Sequence, residues 1–148
     1  MSLVERYEAE LQEFYERLAA VPAGLAALPY RAGGWTRKEV LGHLIDSALN
    51  NHVRFAGAAT NPQFAMLFGY EEKGWVAVHG YREMPWADLL THWRLQNELL
   101  ARVIPHLPGE QALRVGPVEG LEADVWPVGE WAKDYLRHLR HHVDQITA

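Results

Sequence analysis

The amino-acid sequence predicts an all-α fold, a four-helix bundle formed by a single domain over residues 1–148. Four long stretches repeat apolar side chains at steps of three or four residues, which is the spacing of helices that bury one face. The chain has 148 residues and 49% of them are hydrophobic, enough for the core of one domain. Long connections between helices two and three, and between helices three and four, should lie over the ends of the bundle.

The first two helices carry capping signals at their N-termini. The first begins after Ser2 and the second after Thr36, and in both cases a glutamate stands three residues after the hydroxyl side chain. This capping-box pattern satisfies backbone N–H groups that a helix start leaves free. We expect these helices to end near Leu18 and Ala59, with a loop over residues 22–29 after the first.

The third and fourth helices are bounded by proline and glycine. Pro85 suits the first turn of the third helix, where no backbone N–H is needed, and we expect this helix to reach Ile104, before Pro105. The fourth should run from Gly129 to Thr147, with acidic side chains near its positive N-terminal end.

The two long connections differ in composition. Residues 62–84 are rich in glycine and aromatic residues, and a connection of this length in a compact domain is usually functional. We therefore expect it to form a wall of a cleft at the functional site. Residues 109–128 should form turns and a short hairpin that pairs residues 114–115 with 125–126.

Composition argues against several classes of protein. A net charge of −5 argues against a protein that binds nucleic acid, because such proteins usually have a basic surface. It argues equally against a protein that binds membranes through a polybasic surface. No apolar run is long enough to span a bilayer, and the N-terminus has no hydrophobic signal segment, so we expect a cytoplasmic protein with no membrane partner. Because the chain has no cysteine, it has no disulfide, no thiolate metal ligand and no cysteine nucleophile.

Histidines cluster in the fourth helix. His138 and His142 are four residues apart, so they lie one turn apart on the same side as Trp131 and Tyr135. Two such imidazoles can bind one metal ion, although the same spacing also occurs in surface or hydrogen-bonded histidine pairs. His141 points about 100° away from His142 and should lie nearer the rim.

A third ligand is needed, and the second helix offers a candidate. His43 shares a face with Ser47, Asn50 and Arg54, and Asp46 lies at the edge of that face. Such a polar stripe in an apolar bundle usually lines a polar cavity or faces solvent. His43 itself is either a metal ligand or a hydrogen-bonded core histidine.

Several segments, in order along most of the chain, resemble the DinB superfamily and, within it, the YfiT-like group. The first is the segment YRAGGWTRKEVLGHLIDSALNNHVRF over residues 30–55. The second is YEE at residues 70–72, followed by Trp75, and the third is HLRHHVDQI at residues 138–146. One position departs from the pattern, because Ala48 stands where the group has a second histidine; this affects the pocket lining only. The matching positions are Tyr30, Gly33, Gly34, Trp35, Thr36, His43, Asp46, Asn50, Arg54, Phe55, Tyr70, Glu71, Glu72, Trp75, His138, Leu139, Arg140, His141, His142 and Ile146.

The resemblance implies a four-helix bundle that holds one divalent metal ion, nickel or zinc, on His43, His138 and His142. Members of the family are often dimers, so a homodimer is expected. Their activities include thiol-dependent S-transfer and thiol-dependent isomerisation, and YfiT-like members are also described as metal-dependent hydrolases.

Three imidazoles leave a coordination position open, which is typical of catalytic rather than structural sites. That position can hold the sulfur of a low-molecular-weight thiol, which coordination deprotonates, or a water molecule whose pKa falls to roughly 7. Hydrolysis also needs a carboxylate, for which Asp46, Glu71 and Glu72 are candidates. We favour thiol S-transfer to an electrophile; hydrolysis and a non-catalytic, stress-associated metal-binding protein are the alternatives.

Other polar and aromatic residues should bind the small-molecule substrate. Arg54 can hold a carboxylate of the thiol through two parallel hydrogen bonds, or pair with a nearby glutamate. We expect Asn50, Tyr70, Trp75 and His141 to line the same pocket.

Overall fold

A computed structural model describes residues 1–61, 66–67, 69–108, 112–115 and 125–148. Its helices and strands are α1 (Leu3–Ala19), α2 (Ala23–Ala26), α3 (Arg37–Thr60), β1 (Met66–Leu67), α4 (Glu72–His79), α5 (Trp86–Ala101), β2 (Ala112–Val115), β3 (Val125–Pro127) and α6 (Val128–Thr147). The four long helices α1, α3, α5 and α6 are those predicted, and the predicted helical bundle is confirmed. In this part of the chain, no helix combines the length and the apolar composition that a membrane crossing requires.

Some boundaries and short elements differ from the prediction. The third long helix ends at Ala101, and Ile104 lies instead in a 3-10 turn over residues 104–106. The loop after α1 contains the single-turn helix α2. The connection over residues 62–84 contains α4, which is too short to show a clear helical repeat in the sequence.

Ion pairs between α1 and α6 show their relative direction. The two helices are neighbours, since each of α1 and α3 packs against both α5 and α6. Arg140 in α6 pairs with Glu10 in α1 at 3.0 Å, and Arg17 in α1 pairs with Asp144 in α6 at 2.7 Å. Residue numbers rise together in the two helices, so α1 and α6 run parallel.

Two contacts show that α3 runs antiparallel to α6. At one end, Arg37 Nε donates to the Ile146 carbonyl oxygen at 2.9 Å. At the other, Trp131 Nε1 donates to Asn51 Oδ1 at 3.2 Å. The start of α3 therefore lies beside the end of α6.

The remaining pair, α3 and α5, is parallel. The Tyr7 hydroxyl in α1 donates to Asn97 in α5 at 3.0 Å, and Arg94 lies over the Tyr15 ring, so α1 and α5 are antiparallel. Since α1 is parallel to α6 and α3 is antiparallel to it, α3 and α5 point the same way. A parallel neighbour requires a connection that returns along the bundle, which explains the length of the segment between them.

The strands join the two long connections. β2 and β3 form the predicted antiparallel hairpin, in which Arg114 pairs with Val125. β1 pairs with β2 in parallel, with Met66 beside Arg114. The connection after α3 and the connection after α5 therefore share one small sheet.

A buried amide links three helices of the core. Asn97 is fully buried and accepts hydrogen bonds from the hydroxyls of Tyr7 at 3.0 Å and Tyr135 at 2.7 Å. Its amide nitrogen donates to the Trp93 carbonyl oxygen at 2.9 Å. Because a buried polar group without a partner costs stability, these bonds fix how α1, α5 and α6 face one another.

The start of α3 is fixed by two features. The Thr36 capping box predicted from the sequence is present, with Thr36 Oγ1 accepting from the Glu39 N–H and Glu39 Oε1 accepting from the Thr36 N–H. The next residue, Arg37, is 7% exposed and donates to the Pro29 and Ile146 carbonyl oxygens. Together these bonds fix the position of α3 along α6.

Gly42 allows an aromatic ring to pack directly on the α3 backbone. A Cβ built on Gly42 would overlap the ring of Tyr81, which lies in a 3-10 turn just after α4. Gly57, farther along the same helix, has no heavy atom of another described part of the chain within 4 Å of its Cβ position.

We predict that Gly42→Ala lowers the free energy of unfolding by about 1–3 kcal/mol, because the Tyr81 ring must move. Gly57→Ala is the matched control and should raise it by up to about 1 kcal/mol, because alanine loses less backbone entropy in a helix. Urea denaturation measures both. Equal stabilisation by the two substitutions would contradict the close packing of Tyr81 on α3.

Candidate metal centre

Three histidines from two helices meet in one place. His43 in α3 is 2% exposed, and His138 and His142 in α6 are half-buried. One ring nitrogen from each lies within 4.8 Å of the others, and the Nε2 atoms of His43 and His138 are 3.3 Å apart. The structure thus brings together the three residues predicted as metal ligands.

The electrostatic environment keeps these imidazoles neutral. Burial, reinforced by His142 and His138, lowers the pKa of His43 to about 3. Burial and the same clustering lower the pKa of His138 to about 4, and burial lowers the pKa of His142. Neutral imidazoles keep the lone pairs that metal binding needs, so the donor set fits a divalent ion. Three nitrogen ligands suit zinc, nickel, copper or iron.

Gln145 orients the third imidazole. Its side-chain oxygen lies 2.7 Å from His142 Nδ1. Because an amide oxygen only accepts, His142 Nδ1 carries the proton and Nε2 keeps its lone pair for a ligand role. The Gln145 amide nitrogen lies 3.3 Å from Nε2 of the exposed residue His141. His141 therefore contacts the site through Gln145, at the rim where the sequence placed it.

A second polar cluster is centred on Asp46, one turn along α3 from His43. The Tyr81 hydroxyl donates to Asp46 Oδ1 at 2.5 Å, and His79 Nδ1 lies 3.2 Å from the same oxygen. Burial raises the pKa of Asp46, an effect that the bonds to Tyr81 and His79 oppose. Among the described residues, Asp46 Oδ2 has no hydrogen-bond partner.

Arg54 lies farther along the same face of α3. Its Nη1 donates to Asn51 Oδ1 at 3.3 Å, and it forms no ion pair with any residue in the described ranges. Burial lowers the pKa of the Arg54 guanidinium, and the nearby Tyr70 and Glu72 partly offset this. Burial also raises the pKa of the Tyr70 hydroxyl.

The other predicted site residues have identifiable contacts. Glu71 caps α4, with its carboxylate accepting from the Gly74 N–H at 2.9 Å, and Glu72 is exposed in the first turn of that helix. The Trp75 ring lies 5.3 Å from that of Tyr70. Asn50 donates to the Asp46 carbonyl oxygen at 2.8 Å.

Comparison with known proteins places the chain in a family. A family model described as the DinB superfamily matches residues 6–146. The chain belongs to the DinB superfamily. A relative from Bacillus cereus (strain 03BB102), named "Putative metal-dependent hydrolase", is 36% identical over 135 residues, 81% of this chain and 67% of the relative. The Bacillus subtilis protein named "Putative metal-dependent hydrolase YfiT" is 29% identical over 121 residues, 80% of this chain and 66% of that protein.

Solved structures share the fold of this DinB superfamily chain. Bacillus subtilis YfiT, described as "a probable metal-dependent hydrolase with an unusual four-helix bundle topology", superposes with a TM-score of 0.79 at 20% identity, covering 97% of this chain and 83% of YfiT. A mycothiol-dependent maleylpyruvate isomerase superposes with a TM-score of 0.76 at 13% identity, covering 100% of this chain and 62% of the isomerase. The chain spans about two thirds of the length of its sequence relatives.

Sequence reasoning did not assign three residues that the structure places at this DinB superfamily site. Gln145 follows His142 by three residues, so helical spacing alone could have indicated it. His79 and Tyr81 carry no such signal, because they reach Asp46 only through the packing of α4 against α3.

We predict that the protein binds about one divalent ion per chain. His43→Ala, His138→Ala and His142→Ala should each weaken binding by at least about 100-fold, more than is usual for loss of a residue that only orients a ligand. His52→Ala and His92→Ala are matched controls that should leave affinity unchanged. Calorimetric titration with zinc measures this. Full occupancy in both His138→Ala and His142→Ala would contradict the assignment.

We also predict that the metal-free protein loses stability as the pH falls from about 6.5 towards 4. Below 6.5 the histidines of the unfolded chain take up protons, whereas folded His43 and His138 stay neutral, with pKa values of about 3 and about 4. The unfolded state then binds more protons, which costs up to about 1.4 kcal/mol per pH unit for each histidine.

Urea denaturation at pH 7 and pH 5 measures this loss in metal-free wild-type protein and in His43→Gln. The loss should be smaller in His43→Gln, because glutamine does not titrate. An equal loss in both proteins would contradict the low pKa of His43.

Proposed function

We propose that this DinB superfamily chain is a metal-dependent enzyme that transfers the sulfur of a low-molecular-weight thiol to an electrophile. The observation that carries the proposal is the convergence of His43, His138 and His142, with one nitrogen from each within 4.8 Å. Three neutral nitrogen ligands leave room for a further ligand on the ion. The thiol dependence of a solved isomerase with the same fold supports this choice of nucleophile.

The three histidines would hold nickel or zinc, and the ion would supply the positive charge that ionises a bound thiol. His142 is prepared for this role because Gln145 fixes its tautomer. The buried His43 gives the ion a firm ligand on α3, and α6 provides the other two. Since the chain has no cysteine, the nucleophilic sulfur must come from the cosubstrate.

Arg54 would select the thiol by its carboxylate. Its guanidinium is half-buried, and it is without an ion pair in the described part of the chain, so it could donate two parallel hydrogen bonds to a substrate carboxylate. Tyr70 lies close enough to Arg54 to affect its pKa and would contact the same ligand. Asn50, Trp75 and His141 would line the pocket around it.

Hydrolysis is the second candidate, favoured by a specific feature. Asp46 Oδ2 has no partner among the described residues, and burial raises the pKa of this carboxyl group, as suits a general base. The names of the sequence relatives agree with this reaction class. The two reactions differ in whether turnover depends on an added thiol.

We predict thiol-dependent turnover by protein reconstituted with zinc or nickel. Mercaptopropionate as the thiol and styrene oxide as the electrophile form a thioether that chromatography can quantify. Turnover should saturate with the thiol and disappear in His43→Ala, because that variant loses an ion ligand. Ester cleavage without thiol would favour hydrolysis instead. Metal binding without either reaction would favour a non-catalytic role.

We further predict that Arg54→Lys raises the Michaelis constant for mercaptopropionate by about tenfold, the loss expected for one charge-assisted hydrogen bond. The constant for mercaptoethanol, which has no carboxylate, is the matched control and should not change. Metal content should also stay constant. An unchanged constant for mercaptopropionate would limit Arg54 to a structural role.

A further inference from the structure

A histidine outside the metal centre lies against a buried carboxylate. Asp46 is 1% exposed, and its Oδ1 accepts from the Tyr81 hydroxyl at 2.5 Å and lies 3.2 Å from His79 Nδ1. Asp46 follows His43 by three residues on α3, so the cluster lies one helical turn from the metal centre.

The backbone after α4 brings both partners to the same oxygen. Gly80 adopts a left-handed conformation, φ 61°, which ends α4 directly after His79 and turns the chain into the 3-10 turn that carries Tyr81. The His79 ring lies 5.1 Å from the Tyr81 ring and 5.8 Å from the Trp75 ring. These rings restrict how far His79 can rotate.

The short distance to Asp46 Oδ1 favours one tautomer of His79. A carboxylate accepts a proton-bearing Nδ1, so Nε2 keeps its lone pair. Nε2 has no hydrogen bond to a described residue, and 42% of the His79 side chain is exposed. A half-exposed imidazole with a fixed tautomer is suited to proton transfer with a small molecule.

The cluster of Asp46, His79 and Tyr81 is not an arrangement that favours fold stability. Asp46 is almost fully buried, yet its Oδ2 has no partner among the described residues. Burying a carboxyl group that is only partly hydrogen-bonded lowers stability, and apolar side chains at such positions are often more stable. This arrangement therefore points to a role beyond packing.

We propose that His79, oriented by Asp46 and Tyr81, is the proton-transfer residue of the site. The assignment rests on the proposed function and adds a residue to it. In the reaction of a thiol with an epoxide, the S–H bond breaks and its proton passes to His79 Nε2. The sulfur forms a bond to a ring carbon, the C–O bond breaks, and the oxygen keeps the electron pair. That oxygen then takes the proton from His79.

The orientation of His79 can be tested without turnover. Nitrogen NMR of the metal-free protein, at a pH where the ring is neutral, should show His79 with the proton on Nδ1. His92, which is exposed on α5, is the in-chain control and should show the proton on Nε2, the ordinary tautomer of a free imidazole ring. A proton on Nε2 of His79 would overturn the proposal.

The role of His79 is tested by substitution and chemical rescue in zinc-loaded protein, with mercaptoethanol and styrene oxide as the probes. His79→Ala should lower kcat by about 100-fold to 10,000-fold and leave the zinc content unchanged. Added imidazole should restore a measurable part of the lost rate, because it can enter the space that the side chain leaves. His92→Ala is the control and should keep wild-type kcat.

The outcomes separate this proposal from the proposed function. Wild-type turnover that persists in His79→Ala, or a loss that imidazole does not restore, would overturn the role of His79 and leave thiol transfer standing. Wild-type protein without turnover of these probes would count against thiol transfer, and the tautomer measurement would then decide the orientation of His79 by itself.

Discussion

The antiparallel alignment of α3 with α6 is the constraint on which the rest of the structure depends. Arg37 sets this alignment at one end, through its bond to the Ile146 carbonyl oxygen, and Asn51 sets it at the other, through Trp131. A shift of one residue would turn His43 by about 100° away from its partners. Hydrogen bonds made by Arg37 and Asn51, which are not among the three histidines, therefore determine whether these histidines meet.

The two sides of the polar stripe on α3 face histidines in different surroundings. On one side, α6 supplies two imidazoles whose low basicity keeps them available as ligands. On the other, the turn after α4 supplies His79, which contacts a carboxylate instead of other imidazoles. The same residue type is thus suited to metal binding in one setting and to proton transfer in the other, because its neighbours differ.

Local signals predicted most of the fold, and tertiary packing determined what they missed. The Ser2 and Thr36 caps and the apolar repeats depend only on neighbouring residues, so four helices and both capping boxes followed from the sequence. The spacing of His138 and His142 gave two of the predicted ligands, and the polar stripe on the second helix, together with the family resemblance, gave the third. The contacts of His79 could not be predicted from the sequence. The helix α4 has only eight residues, too few for a clear repeat, and its position depends on how Tyr81 packs on Gly42.

The parallel arrangement of α3 and α5 has a consequence for the order of folding. It places α6 beside α3, so His43 and His138, whose Nε2 atoms are 3.3 Å apart, are separated by 95 residues in sequence, and the Arg37–Ile146 bond joins residues 109 apart. Contacts between such distant parts of a chain form slowly. During synthesis the first three long helices emerge with only one of the three histidines, so the proposed ion site can form only after α6 has been made.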